Sequence, residues 1–204
     1  MPVALKSPPT LVLASTSRYR RELLGRLGIA FTSIAPGIDE TAHRDEQSCE
    51  LVARLARAKA LAVAPRYQDA WVIGSDQVAV MAAGTDDEKI LGKPATPARC
   101  VAQLIESSGQ TLTFLTAVAL TRQHDCALFE FIDSTRVNFR VFDAATARRY
   151  VEKESPLDCA GGFKSEGLGI TLCESISTAD PTALIGLPLV ALSSMLRSVG
   201  YSLP

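Results

Sequence analysis

The chain has 204 residues, of which 47% are apolar and 21% charged, and a formal net charge of −1 at pH 7. This length supports a sizeable hydrophobic core, and the near-zero charge excludes the broad positive field typical of nucleic-acid-binding proteins. Five widely spaced cysteines without a Cys-x-x-Cys pair argue against a zinc site or a disulfide framework and favour reduced thiols in the cytoplasm. We expect neither an export signal nor a membrane span, because the N-terminus lacks a long apolar run and the run over 184–192 contains Pro188.

The first predicted elements are a buried strand over 11–14 and a helix over 18–27, with Ser17 as the helix N-cap. The first turn of this helix contains three arginines, which are Arg18, Arg20 and Arg21. Exposed N–H groups and the positive end of the helix dipole make this turn an unfavourable place for positive charge. Either the three side chains extend into solvent or an anion binds among them.

A phosphate-like anion in this turn would remove the electrostatic conflict. Backbone amides, the Ser15 hydroxyl and the guanidinium groups of Arg20 and Arg21 would then converge on the ligand, and arginine offers two parallel donors to a phosphate. We interpret Arg18 as a surface residue.

Glu40 and Lys59 are the next charged residues that suggest a site. Glu40 follows a predicted short strand over 31–35, in a turn where acidic side chains are usually solvated. Lys59 lies on the apolar stripe of a predicted helix over 48–64, not opposite to it. Its side chain either extends along its stem to solvent or places an ammonium group in a cleft, towards phosphate.

A continuous apolar run over 71–80 predicts a central strand, and Asp76 and Gln77 interrupt its middle. Carboxylates are seldom left in a buried strand without a partner. Asp76 is therefore either held by hydrogen bonds in a structural turn or placed at a site, where it holds a metal or acts as a general base. We favour the site. Gly74 would allow close approach of a ligand.

Lys93 is a candidate phosphate contact that the following proline holds rigid. The residues around it lack the glycine spacing and the hydroxyl residue of a Walker phosphate-binding loop, which excludes that motif. The chain then predicts a helix over 96–107, a long hairpin formed by 111–121 and 127–142, and a helix over 143–154.

The glycine-rich stretch over 160–169 is predicted to be a loop that presents Lys164 and Glu166. Its glycine spacing is not that of a dinucleotide-binding fingerprint. A strand over 170–173 and a helix over 188–199 are predicted after this loop.

The two histidines, His43 and His124, lie in polar, turn-like surroundings and are expected on the surface. Hydrolysis would then depend on carboxylates, lysines and a metal. The remaining candidates suit a polyphosphate with a divalent cation, Mg²⁺ or Mn²⁺. The phosphate-binding set is Ser15, Arg20, Arg21, Lys59 and Lys93, and the metal-binding acids are Glu40 and Asp76.

Six motifs, in this order along the chain, resemble those of one known family. They are Ala14-Ser15-Thr16-Ser17 with Arg20-Arg21, Asp39-Glu40, Ala58-Lys59-Ala60, Gly74-Ser75-Asp76-Gln77, Gly92-Lys93-Pro94, and Ala160-Gly161 with Phe163-Lys164-Ser165-Glu166-Gly167. On these motifs nearly the whole chain resembles the Maf family of nucleotide pyrophosphatases. Ser-x-Ser-x-x-Arg-Arg, Asp-Gln and Lys-Ser-Glu-Gly together resemble its YceF-type subgroup, which is associated with 7-methyl-GTP.

The resemblance implies an α/β fold in which helices flank an elongated mixed sheet and a cleft separates two lobes, as in ITPase-like proteins. It also implies metal-dependent hydrolysis of a nucleoside triphosphate to a monophosphate and pyrophosphate, with Asp76 accepting a proton from water. Such an enzyme would remove modified nucleotides.

The same resemblance implies that base selectivity is determined by Tyr19, Gln77 and Glu166. A 7-methylguanine ring is cationic, so an aromatic face at Tyr19 and a carboxylate at Glu166 suit it. Gly162 stands where the family has another small residue, and we expect this difference to have little effect.

Two alternatives remain open at this point. One is a Maf-type enzyme that prefers dTTP or UTP, which Gln77 and Glu166 disfavour. The other is a non-catalytic nucleotide-binding regulator of cell division, which an intact Asp76 disfavours. The resemblance also implies a homodimer. The near-neutral charge and the few aromatic residues predict no nucleic-acid partner, and the lack of a membrane span predicts no membrane partner. The lack of repeats, low-complexity tracts and linkers predicts a single domain over residues 1–204.

Overall fold

The strand Trp71–Met81 is the centre of a seven-stranded mixed sheet in this computed structural model, which describes residues 10–204. The strands are β1 (Leu11–Ala14), β2 (Thr32–Ile34), β3 (Trp71–Met81), β4 (Lys89–Leu91), β5 (Thr111–Arg122), β6 (Ala127–Phe139) and β7 (Cys173–Ser177). The helices are α1 (Arg18–Gly25), α2 (Ser48–Val63), α3 (Pro97–Ser107), α4 (Ala144–Glu154) and α5 (Leu189–Ser198). Helices flank the mixed sheet, which confirms the predicted α/β class.

Two different strands pair with the same edge of β3. β1 runs parallel to residues 71–73 and β4 runs antiparallel to residues 79–81, while β5 pairs along the opposite edge. Residues 74–78 lie between these two partners and pair with neither, and we call this segment the fork. The chain leaves β1 at Ser15 and β4 at Gly92, so both exits open beside the fork. A polar side chain in the middle of β3 therefore lies at an opening in the sheet.

Three apolar clusters build the two lobes. One lies between the sheet and α2, and a second lies between the opposite face of the sheet and helices α1 and α5. The third packs α3 and α4 against the part of the sheet that contains β4, β6 and β7. The first two belong mainly to the β1 side of the fork and the third to the β4 side. This division gives the two lobes that the resemblance implied.

Gly74 allows α2 to pack directly on β3. A Cβ atom at this position would lie 2.1 Å from the carbonyl oxygen of Ala56 and 2.6 Å from the amide nitrogen of Ala60. The predicted close approach of a ligand at Gly74 is therefore wrong, because the backbone of α2 occupies this position. The consequence for function is that α2 lies close enough to β3 for the two elements to bring side chains into direct contact.

Most predicted elements are confirmed, with ends that differ by a few residues. The predicted strand over 170–173 is wrong, because residues Leu168–Leu172 form a 3-10 turn and the strand begins at Cys173. The pairing of β7 with β6 begins at Cys173, which lies opposite Phe139, and this pairing sets the start of the strand. Within residues 10–204 no helix is both long enough and apolar enough to cross a membrane.

Gly162 has a larger structural role than the sequence analysis predicted. Its backbone φ is +64°, in the left-handed region that favours glycine, and a Cβ atom would lie 2.5 Å from Cys100 Sγ. Any other small residue would strain the backbone and clash with the buried thiol.

Candidate active site

A lysine and two carboxylates form the most deeply placed charged group in the fork. Lys59 Nζ lies 2.5 Å from Asp76 Oδ1 and 2.9 Å from Glu40 Oε1. Lys59 is only 4% exposed and Asp76 only 7% exposed. Lys59 comes from α2, Asp76 from β3 and Glu40 from the loop after β2, so three separate elements meet here. The Lys59 side chain thus does not extend to solvent, and its contact with phosphate stays a prediction.

The pKa of Glu40 reflects its positively charged neighbours. Partial burial alone would raise this pKa, but the hydrogen bond and charge of Lys59, together with the charges of Lys93 and Arg20, hold it below its ordinary value. Glu40 is therefore ionised at neutral pH, and its carboxylate oxygens can bind a cation.

Serine hydroxyls cap the N-terminus of α1. Ser17 Oγ accepts a hydrogen bond from the Arg20 amide at 3.4 Å, which confirms Ser17 as the N-cap. Ser15 is buried, and its Oγ accepts from the Ser17 amide at 3.1 Å. The first turn of α1 contains no acidic residue. The helix terminus therefore presents two serine hydroxyl groups and the positive end of its dipole, and its own first turn adds no negative side chain that would compete with an anion.

The three arginines of α1 point in different directions. Arg20 turns towards the cleft, where its Nε donates to the Gly186 carbonyl oxygen at 2.8 Å. Burial lowers the pKa of Arg20, and the charges of Asp76 and Glu40 act against that shift. Arg21 is exposed, reaches the Thr16 carbonyl oxygen at 3.4 Å and lines neither of the cavities described below.

Two adjoining cavities form the cleft. The smaller has a volume of about 360 Å³, and its lining includes Asp76, Gln77 and Glu166. The larger has a volume of about 600 Å³, and its lining includes Ser15 and Lys59. They share six lining residues, which are Ser17, Tyr19, Arg20, Glu40, Lys93 and Asp158. Together they reach the size typical of a cofactor or nucleotide site, and they bring all the predicted site residues except Arg21 to one opening.

Tyr19 lines both cavities and is half-buried. The Arg18 guanidinium lies 4.7 Å from its ring centroid and donates to its hydroxyl at 2.6 Å, so Arg18 has a role at the rim of the cleft that the sequence analysis missed. Burial raises the pKa of Tyr19 to about 12, which keeps the phenol neutral at physiological pH. Asp158 Oδ1 lies 3.4 Å from the same hydroxyl.

Asp158 and Cys159 also line the cleft without having been predicted. They immediately precede the glycine-rich stretch, whose position beside Tyr19 depends on long-range packing that no local pattern encodes. Burial raises the pKa of Cys159 to about 12, and the charges of Asp158 and Glu166 act in the same direction. The Cys159 thiol is therefore protonated and a poor nucleophile.

Lys164 does not extend into the cleft as a free charge. Its Nζ pairs with Glu154 Oε1 at 2.5 Å, and Glu154 Oε2 accepts from the Leu168 amide at 2.7 Å. This clamp holds the glycine-rich loop against α4. Of the two charged residues that the loop was predicted to present, Glu166 lines the smaller cavity and Lys164 stabilises the loop.

Comparison with known proteins agrees with this geometry. A family model described as "Maf-like protein" matches residues 10–199. The chain belongs to the Maf family. A "7-methyl-GTP pyrophosphatase" of Pseudomonas aeruginosa is 49% identical to this Maf chain over 196 residues, which cover 96% of the chain and 100% of the relative. A "7-methyl-GTP pyrophosphatase" of Xanthomonas axonopodis pv. citri is 48% identical over 196 residues, which also cover 96% of the chain and 100% of the relative.

A solved structure of the Staphylococcus aureus Ham1 protein overlaps 64% of this Maf chain and 71% of its own chain, with a TM-score of 0.45 and 15% sequence identity.

The Maf motifs of the chain lie around one cleft, because β1 and β4 both end beside the fork in β3. Their separation along the sequence is thus compatible with one continuous site.

Proposed function

We propose that this chain is a nucleoside triphosphate pyrophosphatase that hydrolyses 7-methyl-GTP to 7-methyl-GMP and pyrophosphate. The observation that carries the proposal is the contact of buried Lys59 with both Asp76 and Glu40, in a cleft that Arg20 and Lys93 also line. The names of the full-length relatives support the substrate. Removal of a modified nucleotide from the cellular pool would be the purpose of the reaction.

The donor set of the site suits Mg²⁺ or Mn²⁺. Nowhere in residues 10–204 do three or more His, Cys, Asp or Glu residues come together as a complete metal cage. Glu40 and Asp76 instead provide two carboxylates that line the cleft, and Mg²⁺ usually binds to one or two carboxylates together with substrate phosphates. We propose that these two residues hold the cation, which would neutralise part of the charge on the triphosphate when bound.

The proposed reaction transfers the nucleotidyl group, which contains the α-phosphorus, to water. Asp76 accepts a proton from the attacking water, whose oxygen forms a bond to the α-phosphorus. The bond between that phosphorus and the bridging oxygen to the β-phosphorus breaks, and pyrophosphate leaves. Lys59 keeps the Asp76 carboxylate in place through its 2.5 Å contact, Lys93 offsets the negative charge that moves to the leaving group, and Arg20 binds the triphosphate equally before and during bond cleavage.

Base selection is proposed to occur at the smaller cavity. Its lining combines the Tyr19 ring with the carboxylates of Glu166 and Asp158. An aromatic face and negative charge favour a cationic 7-methylguanine over neutral guanine. Gln77 completes the predicted specificity set. Ser15 is proposed to bind the triphosphate from the larger cavity, and Arg21 would join it only if its side chain turned inward.

The proposal is tested by incubating the protein with Mg²⁺ or Mn²⁺ and, separately, 7-methyl-GTP, GTP, dTTP and UTP, followed by separation of the products. We expect pyrophosphate to be released fastest from 7-methyl-GTP and to be nearly abolished in Asp76→Asn. Asp69→Asn, which alters a highly exposed carboxylate, is the matched control and should retain full activity. Preference for dTTP or UTP would overturn the substrate assignment, and nucleotide binding without turnover would favour a regulator.

Cytoplasmic location and a homodimer also belong to this proposal. The cysteines of the described chain are free thiols, which suits a reducing compartment. The first half of β6 exposes Leu128 and Ile132 on one face of the sheet and Phe129 and Phe131 on the other, so apolar side chains are exposed on both faces of this strand, as at edges that subunits bury. Sedimentation equilibrium should give the mass of a dimer, and a monomer at micromolar concentration would contradict this part of the proposal.

A further inference from the structure

The two faces of β3 contact different parts of the structure at the fork. Because side chains alternate along a strand, Asp76 faces α2 while Ser75 and Gln77 face the opposite side of the sheet. On that opposite side lies a short segment, residues 182–186, which we call the cleft turn. Leu184, Ile185 and Gly186 of this turn line the smaller cavity.

Gln77 lines the smaller cavity, and its side-chain amide nitrogen also holds the cleft turn. Its Nε2 lies 2.9 Å from the Ala183 carbonyl oxygen, 3.0 Å from the Leu184 carbonyl oxygen and 2.9 Å from Thr116 Oγ1. Thr116 is 1% exposed, and its hydroxyl donates to the same Ala183 carbonyl oxygen at 2.9 Å. Two side chains from adjacent strands therefore fix the backbone of the turn.

The end of the cleft turn in turn fixes Arg20. The Gly186 carbonyl oxygen accepts from Arg20 Nε at 2.8 Å and from Ser75 Oγ at 3.0 Å. Gly186 has a φ of +123°, a conformation that other residues rarely adopt, so the carbonyl direction depends on glycine at this position. With its Nε engaged, the guanidinium of Arg20 is held for contact through its two remaining nitrogens.

Buried polar groups anchor the segment before the cleft turn in the same way. Asp133 stands opposite Thr116 in the register of β5 and β6 and accepts from Thr135 Oγ1 at 3.0 Å. Thr135 Oγ1 also lies 2.8 Å from Thr178 Oγ1. Asp180 accepts from the Thr182 amide at 2.9 Å and from the amide of Val190 at the start of α5 at 2.7 Å. The turn is thus held from both ends, and Thr116 holds its middle.

We infer that Thr116 is a positioning residue for substrate binding, which acts together with Gln77 by fixing the cleft turn and, through Gly186, the direction of Arg20. This inference rests on the proposed function. Gln77 contributes to base selection through the cavity wall that it supports, by way of Leu184 and its neighbours. Within the described residues, no hydrogen bond or ion pair joins Thr116 or the turn to Lys59 or Asp76, which face α2 on the other side of β3.

This separation of faces predicts a specific kinetic result for Thr116→Val, which removes the hydroxyl and keeps nearly the same shape. The KM for 7-methyl-GTP should rise about fivefold, equivalent to the loss of one hydrogen bond of about 1 kcal/mol, while kcat stays within about twofold. Thr116→Ser retains the hydroxyl and should restore KM to near the wild-type value.

Thr121→Val is the matched control. Thr121 lies on the same strand, is also buried and donates to the Ala127 carbonyl oxygen at 2.7 Å, near the hairpin between β5 and β6 and away from the cleft. It should lose a similar amount of stability in urea and keep the wild-type KM. An unchanged KM in Thr116→Val, an equal rise in Thr121→Val, or a fall in kcat alone would overturn the inference.

Calorimetric titration with 7-methyl-GTP measures substrate affinity directly, and EDTA removes the divalent cation so that no turnover occurs. The Kd should rise about fivefold in Thr116→Val. Lack of pyrophosphate release by the wild-type protein would refute the proposed function, whereas an unchanged Kd in the variant would refute the role of Thr116. The two failures are therefore distinguishable.

Discussion

Gly74→Ala should damage catalysis although the substitution adds only one methyl group. The new Cβ would lie 2.1 Å from the Ala56 carbonyl oxygen, about 1 Å short of van der Waals contact, and α2 would have to move away from β3 by about that distance. Lys59 lies on the same stretch of α2, so its 2.5 Å contact with Asp76 would lengthen. Overpacking of this kind costs about 1–3 kcal/mol of stability, and a displacement of about 1 Å in a catalytic group lowers kcat/KM about 100-fold.

The test compares pyrophosphate release from 7-methyl-GTP and urea unfolding for the wild type, Gly74→Ala and Gly25→Ala. Gly25 lies at the end of α1, and a Cβ atom there would have no atom within 4 Å, so this variant should be as stable and active as the wild type. A Gly74→Ala protein with wild-type kcat/KM would refute the reasoning, because α2 would then tolerate the shift without moving the lysine. Loss of stability with full activity would refute it equally.

Three further changes test other parts of the site. Glu40 has a lowered pKa, so the stability difference between wild type and Glu40→Gln should be fully present above about pH 5.5. It should decrease as the pH falls below 4.5, the ordinary value, and be lost once the pH passes the lower pKa of the folded state. With the Glu40 side chain 50% exposed, the difference should stay below about 1 kcal/mol in urea titrations. Glu166→Ala should reduce the preference for 7-methyl-GTP over GTP about tenfold in kcat/KM, and an unchanged ratio would exclude Glu166 from the base site. Gly162→Ala should lose about 2 kcal/mol of stability, because of its positive φ and the 2.5 Å distance to Cys100 Sγ, and a wild-type urea midpoint would contradict this.

The central part of the site could be predicted from sequence because its residues violate the ordinary rules of burial. Asp76 interrupts an apolar strand and Lys59 interrupts an apolar helical stripe, and each charge needs a partner when it is buried. The structure pairs Lys59 with both Asp76 and Glu40. Local pattern was sufficient here, since an improbable residue type at an interior position is itself informative.

Other features depend on contacts between distant parts of the chain. The sequence does not distinguish Arg20 from Arg21, because only the position of Gly186, 166 residues away from Arg20, turns one of them inward. The same limit applies to Gly74, whose packing partner is a helix that precedes it in the chain. Nothing in the composition of residues 182–186 indicates that Gln77 holds them.

The fork in β3 also has a consequence for the kinetics of folding. Its two flanking strands come from positions near 11 and 91, and the cleft is completed only when residue 186 arrives beside Arg20. Contacts of such large sequence separation form slowly, because the chain loses the entropy of closing long loops before the contacts can stabilise it. During refolding from urea, secondary structure should therefore return before pyrophosphatase activity, and the delay between the two signals would measure the docking of the lobes.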